Sequence, residues 1–311
     1  MLCSGSAVFC QTEPVEVHVR SFDGVYTAAA LRKPPGEKPM PAILFLHGGV
    51  GGSAFAALKS MTRARVPDYF LKRGFVIMAA DYRGYHFGED EIQDALAAVR
   101  QLESYPYVDK KRIAIIGGSH GGYLAAMAAT RTPLAAVVSL AGLTDIEDMF
   151  FDWAQEFRKG IRDYEDWRNK LTARSESARE SRIATEFGKI PPGTAVKLPQ
   201  AGTPPYQIEV ELAWRFGARR ELYRDISVKE NASRIKCPLL FLVGGNDKLR
   251  FAGKALVDDL KARGATAVYS EHEGMDHGFY WGAEQNPPRQ FHDALKVMTD
   301  FVERAFSLKA E

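Results

Sequence analysis

The sequence predicts an α/β protein in which a mostly parallel β-sheet is covered by helices on both faces. Five short runs are continuously apolar, which is typical of strands that are buried on both faces. They lie at residues 42–46, 75–80, 113–116, 136–140 and 239–243, with segments of helical periodicity between them. Strands that alternate with helices pair in parallel, because each helix crosses over the sheet to the next strand.

The remaining strands and the clearest helices follow from the same patterns. Residues 15–20 alternate between apolar and polar side chains, which indicates a half-exposed strand near a sheet edge. Weaker strand signals cover residues 25–31 and 267–270. Apolar residues at helical spacing predict helices over residues 89–103, 123–129, 251–263 and 291–306.

The alternation is interrupted between about residues 150 and 226. Charged and aromatic residues replace the strand-like runs there, and a proline-rich stretch at residues 190–206 predicts an extended loop between two helical parts. We therefore expect a core in two parts, residues 1–149 and 227–311, with a mainly helical cap inserted between them at residues 150–226.

Composition and charge restrict the kind of partner. The chain has 311 residues, of which 46% are hydrophobic, and its formal net charge is only +2. Such a small charge creates no global field that would gather nucleic acid. We expect a small-molecule partner, either an ester or a short peptide-like compound. The patterns leave open whether the chain forms a homo-oligomer.

The cysteines and the N-terminus carry weaker signals. The three cysteines, Cys3, Cys10 and Cys237, have the spacing of neither a metal site nor a disulfide framework. We expect no metal and no cofactor. No run approaches the roughly 20 apolar residues that span a bilayer. Residues 1–10 lack the basic start of an export signal, so we expect a cytoplasmic protein, with a processed signal as the alternative.

A nucleophile is indicated where the third of the apolar runs ends. Residues 117–122 read Gly-Gly-Ser-His-Gly-Gly, and an alanine-rich helical segment follows. This is the pattern G-x-S-x-G in a strand–turn–helix context, which presents an exposed serine on a sharp turn. The glycines two residues before and after Ser119 leave room for that turn. A glycine-rich connection without catalytic function is the bland alternative.

A serine hydroxyl needs a base to remove its proton and a carboxylate to orient the base. His277 lies in a glycine-bracketed loop after the last predicted strand, whereas the alternative, His272, lies at the end of that strand. Asp247 follows the strand at residues 239–243. The order Ser119, Asp247, His277 matches the nucleophile-elbow enzymes. Asp145, after the preceding strand, is the rival acid; its alternative role is a helix N-cap.

Acyl transfer also needs donors for an oxyanion. The strand at residues 42–46 runs into His47-Gly48-Gly49, where missing side chains let backbone N–H groups face a substrate oxygen. We expect the amides of Gly49 and His120 to form this site, with Gly48 as the alternative to Gly49. His47 is interpreted as structural.

Together these motifs resemble the catalytic domain of the prolyl oligopeptidase family and its dienelactone-hydrolase-like relatives in the α/β-hydrolase superfamily. The resemblance covers about residues 15–150 and 227–306, and it also draws on Asp81-Tyr82-Arg83-Gly84, residues 108–113 and Asp276-His277-Gly278-Phe279. It implies an eight-stranded, mostly parallel α/β-hydrolase sheet and an acyl-enzyme mechanism without cofactor. It also implies that Arg83 is a structural ion-pair or loop-holding residue, with a direct substrate role as the alternative.

Two departures from the family bear on the substrate. Peptidases of that family carry an N-terminal β-propeller that admits only peptides, whereas about forty residues precede His47 here, so we expect no propeller. The cap is the second departure. We therefore expect a serine hydrolase that cleaves carboxylic esters, with a small aminopeptidase or amidase as the alternative. A non-catalytic binding protein and a lyase or perhydrolase are further alternatives.

Overall fold

The computed structural model describes residues 13–49, 53, 55–83, 88–145, 224–281 and 287–307. Eight strands form one sheet in the order β1-β2-β4-β3-β5-β6-β7-β8. The strands are β1 Val15–Arg20, β2 Tyr26–Arg32, β3 Met40–Leu46, β4 Val76–Ala80, β5 Val108–Gly118, β6 Ala136–Leu140, β7 Leu239–Gly244 and β8 Ala267–His272. β2 pairs antiparallel with both β1 and β4, and every other pair is parallel.

Helices connect the parallel strands. They are α1 Phe55–Thr62, α2 Arg65–Leu71, α3 Glu89–Glu103, α4 His120–Ala129, α5 Val228–Asn231, α6 Arg250–Ala262 and α7 Arg289–Ser307, with 3₁₀ turns at Ala232–Arg234 and Phe279–Trp281. α7 follows its predicted periodicity, since Phe291, Ala294, Met298 and Val302 are all buried on one stripe. α4 is buried along its whole length, which its glycines and alanines permit by allowing close packing on the sheet.

The continuously apolar runs form the central strands, as their pattern predicts. Every residue of β4, β6 and β7 is buried, because helices cover both faces of the sheet. β1 lies at the edge with most of its residues exposed, as its alternation predicts. The predicted eight-stranded, mostly parallel architecture is confirmed.

Three features differ from the sequence-based expectations or fall outside them. β5 begins at Val108, five residues before the predicted run, because its polar first half is also extended. The short helices α1 and α2 were not predicted. The predicted cap falls largely on residues 146–223, outside the described residues. Its last residues, 224–226, lie against the core, where Ile226 is buried. Among the described helices, none is long and apolar enough to cross a membrane.

Candidate active site

The predicted nucleophile lies at a strained turn of the backbone. Ser119 follows β5 and precedes α4, with φ at 54° and ψ at −118°, a strained combination for a residue with a side chain. The turn requires glycine neighbours. A Cβ on Gly117 would lie 2.0 Å from the Gly121 carbonyl oxygen, and one on Gly121 would lie 2.3 Å from the Leu46 carbonyl oxygen. The elbow therefore packs directly against the loop that follows β3.

Ser119, His277 and Asp247 form one chain of contacts. His277 Nε2 lies 2.9 Å from Ser119 Oγ, and His277 Nδ1 lies 2.6 Å from Asp247 Oδ2. The three residues meet because β5, β7 and β8 run parallel, so the loops after their carboxyl ends share one edge of the sheet. The geometry suits proton transfer from the hydroxyl to the imidazole.

Asp247 and His277 differ in exposure as their predicted roles require. The Asp247 side chain is 3% exposed, whereas that of His277 is 45% exposed. The second carboxylate oxygen of Asp247 accepts the Leu249 N–H at 3.0 Å, which fixes the carboxylate from behind. The imidazole is thus held on its buried side and remains open to a substrate on the other.

The rival residues lie elsewhere. His272 is buried at the end of β8, where its Nε2 lies 3.1 Å from Ser270 Oγ, and burial lowers its pKa. Asp145 accepts a hydrogen bond from Ser227 Oγ at 3.0 Å. Neither joins the contacts of Ser119 and His277, so the structure brings together the first choices for base and acid.

The two loops that carry Asp247 and His277 are tied to each other. The Gly245 N–H donates to the His272 carbonyl at 2.8 Å, and the Asn246 N–H donates to the Met275 carbonyl at 3.0 Å. Tyr280, which sequence reasoning missed, is buried beside Asp247 and the Ser119 backbone. Burial, and then the charge of Asp247, raise its pKa well above the ordinary range, so its hydroxyl stays protonated. The only sequence feature that could have indicated Tyr280 is its position, three residues after His277.

The residues predicted for the oxyanion site lie on either side of the elbow. A Cβ on Gly48 would lie 3.1 Å from Ser119 Cβ, so the loop after β3 touches the nucleophile's residue. Gly49 has a φ of 75° and open space where a side chain would project. His120 begins α4 directly after Ser119, and its side chain points into the core, 2.9 Å from the Glu91 carboxylate. None of these three residues therefore places a side chain over Ser119.

Arg83 has the structural ion-pair role that the resemblance implies. Its guanidinium binds the buried Asp94 of α3 in a bidentate manner at 2.9 and 2.7 Å, and it also pairs with Asp23 in the turn between β1 and β2. The Arg83 hydrogen bond lowers the pKa of Asp23 to about 2. In the part of the chain that the structure describes, no group of three or more His, Cys, Asp or Glu side chains could hold a metal ion.

Comparison with known proteins confirms the resemblance and the fold. Residues 62–185 match the model of the prolyl oligopeptidase family. The acylamino-acid-releasing enzyme of Rattus norvegicus is 28% identical over 161 residues, 43% of this chain. This chain spans only about a fifth of the rat protein's length, since the match covers 21% of it.

Two solved structures show the same fold at low sequence identity. An esterase from Pyrobaculum calidifontis superposes with a TM-score of 0.61 at 19% identity, over 94% of this chain and 84% of that protein. An acylaminoacyl peptidase from Pyrococcus horikoshii gives a TM-score of 0.63 at 20% identity, over 96% of this chain and 42% of the peptidase. The α/β-hydrolase fold predicted from the motifs is therefore confirmed.

Proposed function

We propose that this chain is a serine hydrolase similar to the prolyl oligopeptidase family, and that it cleaves carboxylic esters of small molecules through an acyl-enzyme intermediate. The observation that carries the proposal is the continuous chain of contacts from Ser119 through His277 to Asp247, at 2.9 and 2.6 Å. A serine hydroxyl becomes nucleophilic only when a correctly oriented base accepts its proton, and this arrangement supplies both the base and its orienting carboxylate.

The proposed reaction has two similar halves. His277 takes the proton from Ser119 as Oγ attacks the ester carbonyl, and the protonated imidazole then gives it to the leaving alcohol. Water, deprotonated by His277, then attacks the acyl carbon; the bond to Ser119 Oγ breaks, the imidazolium returns its proton to that oxygen, and the acid leaves. Asp247 stabilises the imidazolium in both halves, and its burial strengthens that interaction.

Two backbone amides are proposed to stabilise the negative charge that develops on the carbonyl oxygen. The His120 N–H follows the nucleophile at the start of α4, and the Gly49 N–H lies on the loop that touches the elbow. Fixed N–H groups stabilise the tetrahedral intermediate more than the planar substrate. Neither donor is itself a side-chain group, which is consistent with the burial of the His120 imidazole away from the site.

Ester cleavage is the first candidate because an esterase from Pyrobaculum calidifontis has the same fold, with a TM-score of 0.61 over 94% of this chain. The second candidate, an aminopeptidase or amidase that uses the same residues, is favoured by the sequence match to the rat acylamino-acid-releasing enzyme. Turnover of short-chain aryl esters against aminoacyl arylamides separates the two.

The test of the proposal is labelling and turnover with and without the nucleophile. Ser119→Ala should abolish reaction with a fluorophosphonate probe and lower kcat for 4-nitrophenyl acetate by on the order of 10⁴-fold or more. Ser270→Ala is the matched control, since Ser270 also contacts a histidine, at 3.1 Å, but lies outside the proposed site. It should label and turn over like the parent. Ester turnover that survives in Ser119→Ala would overturn the proposal.

A further inference from the structure

Three rings form a stack beneath the two segments proposed for the oxyanion site. Tyr82 stacks on His47 with ring centroids 4.6 Å apart, and on His120 with centroids 5.1 Å apart, at an interplanar angle of 17° in both pairs. His47 follows β3, whereas His120 begins α4. We call His47, Tyr82 and His120 the ring stack. It joins the two pieces of backbone whose spacing would define an oxyanion site.

The Tyr82 hydroxyl also grips the loop after β3. It is a donor 2.9 Å from the His47 carbonyl oxygen and 3.2 Å from the Gly49 carbonyl oxygen. His47 Nδ1 lies 3.0 Å from the carbonyl oxygen of Gly48 between them. The Tyr82 hydroxyl therefore holds two carbonyl groups of the loop, one on either side of the Gly48 carbonyl, while His47 Nε2 lies 3.1 Å from Asp81 Oδ1.

Holding these carbonyls also aims the N–H groups of the loop. In a trans peptide unit the C=O and the following N–H point in opposite directions. The Tyr82 contact at the His47 carbonyl therefore sets the direction of the Gly48 N–H. Its second contact, at the Gly49 carbonyl, fixes the residue that carries the other candidate donor.

The far end of the ring stack is anchored in the core. His120 Nε2 lies 2.9 Å from a carboxylate oxygen of Glu91 on α3, and the two side chains are 2% and 0% exposed. Tyr82 is itself fully buried. A buried, hydrogen-bonded stack of planar rings has little freedom to shift, so it fixes the distance between the loop after β3 and the start of α4.

We infer that Tyr82 is a positioning residue that sets the geometry of the oxyanion site without touching substrate. The inference rests on the proposed acyl-enzyme mechanism. An oxyanion site is effective only when its donors are already aimed at the oxygen of the tetrahedral intermediate, so loosening one donor segment raises the barrier for chemistry more than it weakens substrate binding. The effect of losing the Tyr82 hydroxyl should therefore appear in kcat.

Tyr82→Phe tests the inference, because it keeps the ring and removes the donor. Removing a whole oxyanion donor costs about 10² to 10³ in kcat, so losing its support should lower kcat for 4-nitrophenyl acetate by roughly 10- to 100-fold. KM should change by less than about threefold, since ground-state contacts are retained. The inhibition constant of 2,2,2-trifluoroacetophenone should rise by the same factor as kcat falls. Addition of Ser119 Oγ to that ketone, with proton transfer to His277, places an oxyanion at the same position.

Tyr123→Phe is the matched control. Tyr123 is also a fully buried tyrosine whose hydroxyl donates to a backbone carbonyl, that of Ile226 at 2.8 Å, but it does not touch the loop after β3 in any described contact. It should leave kcat and the inhibition constant within about threefold of the parent, because phenylalanine keeps the ring contact with His120 and only the hydrogen bond to Ile226 is lost. Equal losses in the two variants, or a loss confined to KM, would overturn the inference.

Two further variants keep the result interpretable. If Tyr82→Phe does not fold, Glu91→Gln loosens the same ring stack from its other end, and kcat should fall severalfold with KM retained; unchanged kcat would overturn the inference.

Ser119→Ala separates the two proposals. Turnover that persists in Ser119→Ala contradicts the proposed mechanism, whereas turnover that depends on Ser119 but is unchanged in Tyr82→Phe contradicts only the role of Tyr82.

Discussion

Among single residues, Asp145 and Asp247 make the most direct comparison, because each is a buried carboxylate in the loop after a central strand. Their contacts separate them. Asp247 lies 2.6 Å from His277 Nδ1, whereas Asp145 accepts a hydrogen bond from Ser227. Burial alone therefore does not identify the acid. The acid is identified by its partner, His277, which lies 30 residues from Asp247 in the loop after a different strand.

Asparagine at each of the two positions tests this difference. Asp247→Asn should lower kcat by on the order of 10³- to 10⁴-fold, because an amide favours the wrong imidazole tautomer and cannot stabilise the imidazolium. In Asp145→Asn the amide oxygen can still accept from Ser227, so kcat should stay within about threefold of the parent. Steady-state kinetics on one aryl ester measures both. The opposite ranking would transfer the role of the acid to Asp145.

At the scale of secondary-structure elements, Arg83 ties together three parts of the chain. It follows β4, binds Asp94 on α3 and reaches Asp23 in the turn between β1 and β2. The Arg83 backbone N–H and the Ser21 hydroxyl donate to the same Asp94 carboxylate at 2.9 and 2.5 Å. This cluster holds the antiparallel edge of the sheet against the helix that precedes β5.

Asp23 gives this cluster a pH dependence. Its pKa is lowered from 3.8 to about 2 by the Arg83 hydrogen bond, so the ionised form stabilises the fold. That contribution is complete above about pH 4 and is lost as the pH falls towards about 2. Urea unfolding should therefore show Asp23→Asn less stable than the parent at pH 7, with the difference shrinking between pH 4 and 2. Asp258→Asn, which breaks an exposed pair with Lys254, should show little difference at either pH. A gap that stays constant down to pH 2 would contradict the role of Asp23.

Some strands and helices could be predicted from the sequence, and others could not. The central strands were predictable because full burial demands unbroken apolar runs, as in β6, whose predicted bounds match the structure. α1 and α2 were not, since helices of 8 and 7 residues are too short to show a clear period. The buried charges of α3 were missed for a different reason. Charged residues on a helix are usually exposed, and the sequence does not show that Glu91 contacts His120 or that Asp94 binds Arg83.

The candidate site divides in the same way. Ser119, His277 and Asp247 could be predicted because each follows a recognisable strand and the strands run parallel, so their contact follows from chain order and topology. The supporting residues Tyr82 and Tyr280 could not, because their roles depend on contacts across the sheet that no local pattern encodes. The motif at residues 81–84 predicted a role for Arg83 but none for its neighbour Tyr82. The Tyr82 hydroxyl donates to carbonyl groups of the loop beside the nucleophile.

At the scale of the whole molecule, the described residues that flank the predicted cap on either side meet. Ser227 Oγ donates to Asp145 Oδ2 at 3.0 Å across 82 residues of sequence, and the Lys229 N–H donates to the Thr144 carbonyl at 2.9 Å. The Tyr123 hydroxyl donates to the Ile226 carbonyl, which fixes the returning chain to α4. The described core therefore brings Asp145 and Ser227 together, and a short linker can bridge the chain between them.

Because the flanking residues contact each other, excision of the predicted cap tests its role directly. Replacing residues 150–223 with a short Gly/Ser linker keeps Asp145, Ser227 and the whole proposed triad, so the core should still fold and Ser119 should still react with a small fluorophosphonate. The insertion contains aromatics in both of its predicted helical parts, including Trp153, Trp167 and Trp214, and such side chains bind acyl groups when they cover a pocket. As a cap it would supply binding contacts and exclude water but no triad group, so its removal should change the ranking of esters by acyl size. Measurement of kcat/KM over a series of 4-nitrophenyl esters, from acetate to octanoate, reads that ranking directly. An unchanged ranking, together with conversion of an oligomer into a monomer in sedimentation, would show that the insertion serves assembly instead.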